Sequence, residues 1–148
     1  MKISARNVFE GRISALVTGP VNAEVTLTLA GGDLLVAVVT RVSVRDLGLA
    51  VGGSACAIVK APWVIVSTDD GALRRSAPNQ LRGTVSAVKA GPVNAEVAIT
   101  LPGGTVVHAV VTPDAVAELG LAPGVAASAL IKASHVVLGV ESVHPAPV

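Results

Sequence analysis

The polar side chains that recur 72 residues apart in this chain (Asn22 and Asn94 mark the shift) are mainly hydrogen-bond donors. They lie at or beside the ends of apolar stretches and comprise Ser4, Ser76, Thr40, Thr112, Lys60 and Lys132, joined in one copy by Arg6. Hydroxyls, backbone N–H groups and one or two cations, with few carboxylates beside them, form a site for an oxyanion. A lining made of donors favours a fully deprotonated tetrahedral anion, because a protonated phosphate would also need an acceptor.

Catalytic and metal-binding patterns are weak by comparison. The three histidines, His108, His135 and His144, have no cysteine or carboxylate at ligand spacing. Cys56 aligns with Ser128 in a strand-like stretch, which indicates a buried structural thiol. No Ser–His–Asp or paired-carboxylate arrangement occurs in both halves, so we expect no enzyme, no catalytic cofactor and no direct metal-cation ligands.

The composition excludes several kinds of partner. The net charge is +1 and aromatic residues make up 1% of the chain, so the basic surface and the stacking platforms of a nucleic-acid binder are missing. No apolar run reaches the ~18–20 residues of a membrane span, there is no signal-peptide pattern, and a single cysteine fits a reducing compartment; we expect a cytoplasmic protein without a membrane contact. Because 51% of the residues are hydrophobic and only 14% are charged, we expect self-association.

The chain is a tandem duplication, because sliding it on itself by 72 positions aligns it without a gap. The recurring words are SARN at 4–7 with SAPN at 76–79, GPVNAEV at 19–25 and 91–97, and AVVT at 37–40 and 109–112. A polar seam between the copies predicts a linker. The predicted domains are a first unit at 1–69, a linker at 70–75, a second unit at 76–141 and a C-terminal tail at 142–148.

Each unit is rich in strand signals and contains one short helix signal. In the first unit, β-rich segments bounded by Gly, Pro and Asp fall at 12–17, 24–29, 34–40, 55–61 and 64–67. Residues 43–49 open with a Ser-x-x-Asp capping pattern at Ser43 and reach Gly48, a typical helix stop. Five strands with a helix between the third and the fourth is the order of the OB-fold. The predicted fold is all-β: two tandem OB-like five-stranded Greek-key barrels, each with one short helix.

Taken singly, each repeated residue also has a purely structural explanation. A lysine at a strand end is commonly a solvated edge charge, and Thr40 and Ser43 can cap the short helix. Gly19 and Pro20 can form only a turn, and Asn22 an Asx-turn. Their joint recurrence in two copies that differ elsewhere favours a binding role.

SARN, GPVNAEV, AVVT followed by a short helix, and the strand ends IVKA and IKAS together resemble the molybdate-binding Mop domain. Two such domains in tandem resemble the molbindins, small cytoplasmic molybdate-binding proteins. The resemblance implies a homotrimer of tandem chains, hence six OB-like domains, with oxyanions bound between domains.

The resemblance also implies two kinds of oxyanion site. The interface type would use Ser4, Ala5, Arg6, Thr40, Ser43, Lys60 and Ala61 in the first unit and Ser76, Ala77, Thr112, Lys132, Ala133 and Ser134 in the second. The type near threefold axes would use Val21, Asn22, Ala23, Val93, Asn94 and Ala95. Pro78 stands where the first unit has Arg6, and Ala115 where it has Ser43. We therefore expect the Lys60 sites to bind ~10–100-fold more tightly than the Lys132 sites. The alternative is that interface sites mix residues from both units, in which case Arg6 serves a site that contains Lys132.

The repeated GPVNAEV is expected to be a loop whose Gly-Pro turn points successive backbone N–H groups at an anion. Asparagine suits such a turn because it tolerates unusual dihedral angles. Glu24 and Glu96 are expected to point away from the anion, toward a subunit contact.

The favoured function is molybdate binding for intracellular storage and homeostasis, without catalysis. Tungstate, nearly the same in size and charge, is expected to bind as well. The alternatives are an OB-fold module for nucleic acid and a purely structural oligomerisation module. Missing aromatic residues and a near-neutral charge disfavour the first, and the repeated donors disfavour the second.

Overall fold

The computed structural model describes residues 3–69 and 79–141, which contain ten strands, two α-helices and two 3-10 turns. The strands are β1 (Asn7–Thr18), β2 (Asn22–Leu29), β3 (Leu34–Thr40), β4 (Ser54–Val59), β5 (Ile65–Ser67), β6 (Asn79–Ala90), β7 (Ala95–Thr100), β8 (Val106–Val111), β9 (Ala126–Ile131) and β10 (Val137–Gly139). The helices are α1 (Arg41–Leu47) and α2 (Pro113–Leu119), and the 3-10 turns are Ala61–Trp63 and Ala133–His135. The predicted linker and C-terminal tail lie outside the described residues.

The strands form two five-stranded antiparallel sheets, in the orders β10-β4-β1-β2-β3 and β5-β9-β6-β7-β8. This confirms the predicted all-β class of two five-stranded OB-like units with one short helix each. The structure adds one feature, because the fifth strands are exchanged. β5 pairs with β9, with Ile65 opposite Leu130, and β10 pairs with β4, with Val137 opposite Ile58. Each sheet therefore takes four strands from one repeat and the last from the other.

The alternating sequence of β2 shows how these sheets curl around a core. Its side chains are buried at every second position from 23 to 29 and face outward or are half-buried between them, as expected for a sheet with one covered face. The pairing of β1 with β2 shifts between Ile13 and Ala15, and β6 shifts at the equivalent place, between Val85 and Ala87. Such bulges bend a long strand, which lets β1 and β6 each follow the curve of the sheet.

The two repeats share one hydrophobic core. Fully buried Leu27 and Leu35 of the first repeat belong to the same cluster as Ile99 and Ile131 of the second. The strand exchange explains this continuity, since each fifth strand carries its own buried residue into the other sheet: Val66 from β5 and Leu138 from β10. Within the described residues, neither helix has the length and apolar character that crossing a membrane would need.

Each helix begins directly after the threonine that follows the third strand's core. Thr40 Oγ1 accepts a hydrogen bond from the backbone N–H of Ser43 at 3.1 Å, and Thr112 Oγ1 accepts one from Ala115 at the same distance. The prediction that the first helix opens at Ser43 is therefore wrong: Thr40 supplies the N-cap oxygen and the helix starts at Arg41. The predicted stop is confirmed, because the residue after the helix, a glycine, is left-handed, with φ 65°.

Two asparagines cross from one repeat to the other. Asn7 Nδ2 donates to the carbonyl oxygen of His108, and Asn7 Oδ1 accepts from the N–H of His108, both at 2.7 Å. Asn79 makes the same two bonds with Val36, also at 2.7 Å. Both asparagines are buried, where polar groups need partners. Each amide thereby joins the first strand of its own repeat to the third strand of the other.

The tips of the β2–β3 and β7–β8 hairpins also meet across the repeats. A Cβ atom added to Gly31 would lie 2.7 Å from the carbonyl oxygen of Gly103. A side chain does not fit at this approach unless the backbone moves. The GG pair shared by the repeats therefore serves the contact between them.

Candidate functional site

Antiparallel pairing brings two of the predicted cations to one end of a sheet. Asn7, at the start of β1, pairs with Val59, at the end of β4. Arg6 precedes Asn7 and Lys60 follows Val59, so the two basic residues are neighbours across the strands. The first repeat thus places the backbone of both basic residues at the same end of one sheet, while their charged groups contact Glu96 and the Trp63 ring.

Each 3-10 turn packs against the third strand of the other repeat. The turn Ala61–Trp63 lies against β8, and the turn Ala133–His135 lies against β3. The lysine before each turn is therefore brought toward the strand that leads to the other repeat's threonine. The resemblance grouped each lysine with the threonine of its own repeat and left sites mixed from both repeats as the alternative; the packing of the turns favours the mixed grouping.

The contacts of Asn7 and Arg6 indicate toward which end of β8 the chain before β1 lies. Asn7 holds His108, whereas Arg6, one residue earlier, reaches Glu96 on β7. Glu96 pairs with a β8 residue two places beyond His108. The chain before Asn7 therefore runs toward Thr112, which follows β8.

Arg6 and Glu96 form a two-point ion pair between the repeats. Arg6 Nη2 lies 2.7 Å from Glu96 Oε1, and Arg6 Nη1 donates to Glu96 Oε2 at 3.2 Å. The pair is open to solvent, with side-chain exposures of 56% for Arg6 and 26% for Glu96. His108 Nδ1 lies 3.3 Å from Glu96 Oε1, without the alignment of a hydrogen bond. Glu96 was expected to face a subunit contact; within this chain it contacts Arg6, a residue predicted for the interface type of site.

The other residues predicted for the interface type differ in exposure by residue type. Exposed are Ser4, Arg6, Thr40, Lys60, Thr112, Lys132 and Ser134. Half-buried are Ala5 and Ser43, and buried are Ala61 and Ala133. Ser76, Ala77 and the neighbouring Pro78 lie outside the described residues. Apart from the half-buried Ser43, the described donors are thus at the surface, while the alanines after the lysines anchor the 3-10 turns in the core.

The loop predicted over GPVNAEV is shorter than expected, because β2 begins at Asn22 and β7 at Ala95. Only residues 19–21 and 91–94 connect the first and second strands of each repeat. Gly19 N–H donates to the carbonyl oxygen of Asn22 at 2.8 Å, and Gly91 N–H donates to that of Asn94 at 2.9 Å. A Cβ on Gly19 would lie 3.0 Å from the Asn22 oxygen, which accounts for the glycine. Among the described residues only glycines have positive φ, so the unusual dihedral expected for asparagine is wrong.

The residues after these glycines divide between surface and core. Val21 and Val93 are 71% and 76% exposed, and Asn22 and Asn94 are exposed as well. The following residues, Ala23 and Ala95, are buried. An anion at either loop could therefore reach the backbone and the asparagine but not the alanine side chain.

Trp63 and His135 occupy matching positions in the repeats and contact each other, with ring centroids 5.0 Å apart. Lys60 Nζ lies 5.5 Å from the centroid of the Trp63 ring, within cation–π distance. No role was predicted from the sequence for this pair or for Asn7 and Asn79. The available signal for the asparagines was their identity in SARN and SAPN, directly before the first strand of each repeat.

No group of three His, Cys, Asp or Glu within residues 3–69 and 79–141 is placed to hold a metal ion. Cys56 is buried and free, as the sequence predicts for a structural thiol. The chemistry at the surface of the candidate site is therefore that of cations, hydroxyls and backbone groups around one carboxylate.

The chain is similar to known proteins over most of its length. The TOBE domain matches residues 3–66 and 75–138. The molybdenum transport protein ModE of Herbaspirillum seropedicae is 45% identical over 95% of this chain and 52% of its own length. The molybdenum-pterin-binding protein MopA of Rhodobacter capsulatus is 43% identical over 93% of this chain and 52% of its own. The chain spans about half the length of these curated relatives.

A solved structure resembles the whole described fold. It is the cytoplasmic molybdate-binding protein ModG with molybdate bound, 59% identical, covering 95% of this chain and 100% of that chain with a TM-score of 0.92. The resemblance to tandem Mop-domain proteins drawn from SARN and GPVNAEV is confirmed. With two matched copies that together cover most of its length, this chain belongs to the TOBE domain family.

Proposed function

We propose that this protein binds molybdate, and also tungstate, between its domains, as a cytoplasmic store that buffers the oxyanion without a chemical step. The observation that carries the proposal is the similarity to ModG along the whole of that chain, at 59% identity, in a structure that holds molybdate. The exposed cations and hydroxyls of the candidate site supply suitable chemistry, because charged donors bind a tetrahedral dianion strongly.

The first interface site, which we name the Arg6 site, combines Arg6 and Lys60 with Thr112 of the other repeat. Support comes from the neighbouring positions of the two cations at the ends of β1 and β4, and from the packing of the 3-10 turn after Lys60 against β8. Ala115 takes the place of a hydroxyl here. This site therefore has a guanidinium but lacks one hydroxyl donor.

The second interface site, which we name the Lys132 site, combines Lys132 with Thr40 and Ser43. The turn after Lys132 packs against β3, and Thr40 Oγ1 lies 2.7 Å from Ser43 Oγ. Pro78 takes the place of the arginine, and proline has neither the guanidinium nor a backbone N–H. This site therefore has the extra hydroxyl and lacks the guanidinium, so that Lys132 is its one proposed cation.

We propose further that the chain is a homotrimer and that the GPVN loops bind oxyanions near its threefold axes. Exposed apolar side chains support self-association: besides Val21 and Val93, they include Leu34, Ile65 and Val137 on the edge strands, at 56%, 60% and 55% exposure. Light scattering tests the assembly. A mass equal to the 14.7 kDa chain would contradict the trimer and the loop sites, and would leave the two interface sites within one chain.

Calorimetric titration with molybdate, tungstate, sulfate and phosphate tests the function itself. Donors held at fixed positions fit the larger anion, and a smaller one cannot reach all of them at once. One charge-assisted hydrogen bond left unmade costs ~1.5–3 kcal/mol, so sulfate should bind at least ~10-fold more weakly than molybdate. Equal affinities would contradict the size argument. No heat with any anion, together with a salt-dependent gel shift, would favour the nucleic-acid alternative.

A further inference from the structure

The two glutamates of the repeated GPVNAEV words have different surroundings. We name as the Glu96 corner Glu96 with Arg6, His108 and Lys89, which is the residue opposite Glu96 in the pairing of β6 with β7. All three neighbours carry basic side chains. Glu96 is half-buried among them, and its two carboxylate oxygens are both within 3.2 Å of the Arg6 guanidinium nitrogens.

The equivalent Glu24 corner has no basic neighbour at the matching positions. Val17 lies opposite Glu24 in the pairing of β1 with β2, Val36 stands where the second repeat has His108, and Pro78 stands where the first has Arg6. Glu24 is exposed. The same word in the sequence thus carries an ion pair in one repeat and a solvated carboxylate in the other.

The geometry of the Arg6–Glu96 pair is that of a guanidinium fork on a carboxylate. A tetrahedral oxyanion uses the same planar set of donors, with two parallel N–H groups on two oxygens. The Nη1 and Nη2 groups that would hold such an anion are occupied by Glu96. An anion that binds this edge of Arg6 must therefore replace the carboxylate.

We propose that Glu96 is an internal competitor for Arg6 and sets the affinity of the Arg6 site. The inference rests on the proposed function, since it requires an oxyanion at Arg6. When the anion enters, the displaced carboxylate turns to Lys89 and His108, which border it. The Lys132 site has no such competitor, so the presence of Arg6 raises affinity by less than its donors alone would give.

The test compares two matched charge removals by calorimetric titration with sodium molybdate. Glu96→Gln should tighten one class of sites by about two- to fivefold, the size expected for a partly exposed ion pair. Glu24→Gln removes the same charge from the same word and should leave every affinity unchanged. In an Arg6→Ala background, Glu96→Gln should have no effect, because nothing remains to be released.

Each other outcome has a definite meaning. Unchanged or weaker binding by Glu96→Gln, with wild-type binding intact, overturns the competitor and leaves the proposed function standing. A gain that persists without Arg6 assigns the effect to the general field of the carboxylate and also overturns it. No molybdate binding by the wild type overturns the function and the inference together. Circular dichroism checks the fold of each variant, and Glu96→Ala repeats the measurement should Glu96→Gln unfold.

Discussion

The hydrogen bonds that support the Glu96 corner and the Glu24 corner are nearly identical, but the charged side chains in the two corners differ. Beside both corners a buried asparagine makes two bonds of 2.7 Å to the third strand of the other repeat. In both, a threonine caps the short helix at 3.1 Å. What differs is exposed or half-buried: Arg6, Lys89 and His108 on one side have no basic counterpart on the other.

Repeated residues in this chain are of two kinds: some hold the two repeats together, and others lie where a ligand is proposed to bind. A buried amide that leaves two backbone groups unpaired is costly to replace, whereas a partly exposed ion pair contributes little to stability. Positions that join the repeats have therefore stayed the same in both copies. The lysines and threonines of the two proposed interface sites recur as well, whereas Arg6 and Ser43 do not. This difference makes the two proposed sites unequal.

The largest expected effect tests whether the two buried asparagines contribute equally to stability. Asn7→Ala and Asn79→Ala should each lower the free energy of unfolding by about 2–4 kcal/mol, since each leaves a buried N–H and a buried C=O without a partner. Urea unfolding followed by circular dichroism measures this. Asn22→Ala, at an exposed loop, is the matched control and should change stability little. Clearly unequal losses at Asn7 and Asn79 would show that the two joints differ in spite of their equal distances.

The next effect tests whether Arg6 gives the two proposed interface sites different affinities for molybdate. Arg6→Ala removes a charged donor from one site and should weaken molybdate binding there by about tenfold, the lower end of the range for a charged hydrogen bond, because Glu96 already competes for it. The Lys132 sites should keep their affinity. Titration with molybdate separates the two classes, and emission from Trp63 adds a local signal because Lys60 lies over its ring. If every affinity is unchanged, Arg6 serves only as a partner of Glu96.

Most strands could be predicted from the sequence, and the exchange of the fifth strands could not. The alternation in β2 and the apolar run of β3 are local patterns that determine which face is buried. β5 and β10 follow the same lysine-alanine word and carry similar apolar residues, so either strand fits either sheet. The choice depends on the direction in which the 3-10 turns Ala61–Trp63 and Ala133–His135 lead the chain away, and apolar periodicity contains no information on that direction.

Local sequence patterns likewise predict the residue types of the candidate site but not the contacts between them. Residue types and their recurrence identified the donors, including Arg6 and both lysines. The proposed grouping by contact differs from the grouping by repeat, because the 3-10 turns that follow the lysines pack against the other repeat's third strand. The contact between Arg6 and Glu96 spans 90 positions in the chain. A contact at that separation between an exposed and a half-buried residue leaves no local pattern.

The smallest expected effect decides between grouping by repeat and grouping by contact. Ser43→Ala removes one hydroxyl donor, worth ~0.5–1.5 kcal/mol as a hydrogen bond, and should weaken one class of sites by about two- to tenfold. Grouping by contact assigns that class to Lys132. Ser43→Ala should then have no further effect in a Lys132→Ala background, where its site is already disabled, and should keep its full effect in a Lys60→Ala background. Such double-mutant cycles measure coupling between neighbours directly. The reverse change, Ala115→Ser, should strengthen the Arg6 site by a similar factor. Coupling of Ser43 to Lys60 instead would return Thr40 and Ser43 to the site of their own repeat, in spite of the packing of the Ala133–His135 turn against β3.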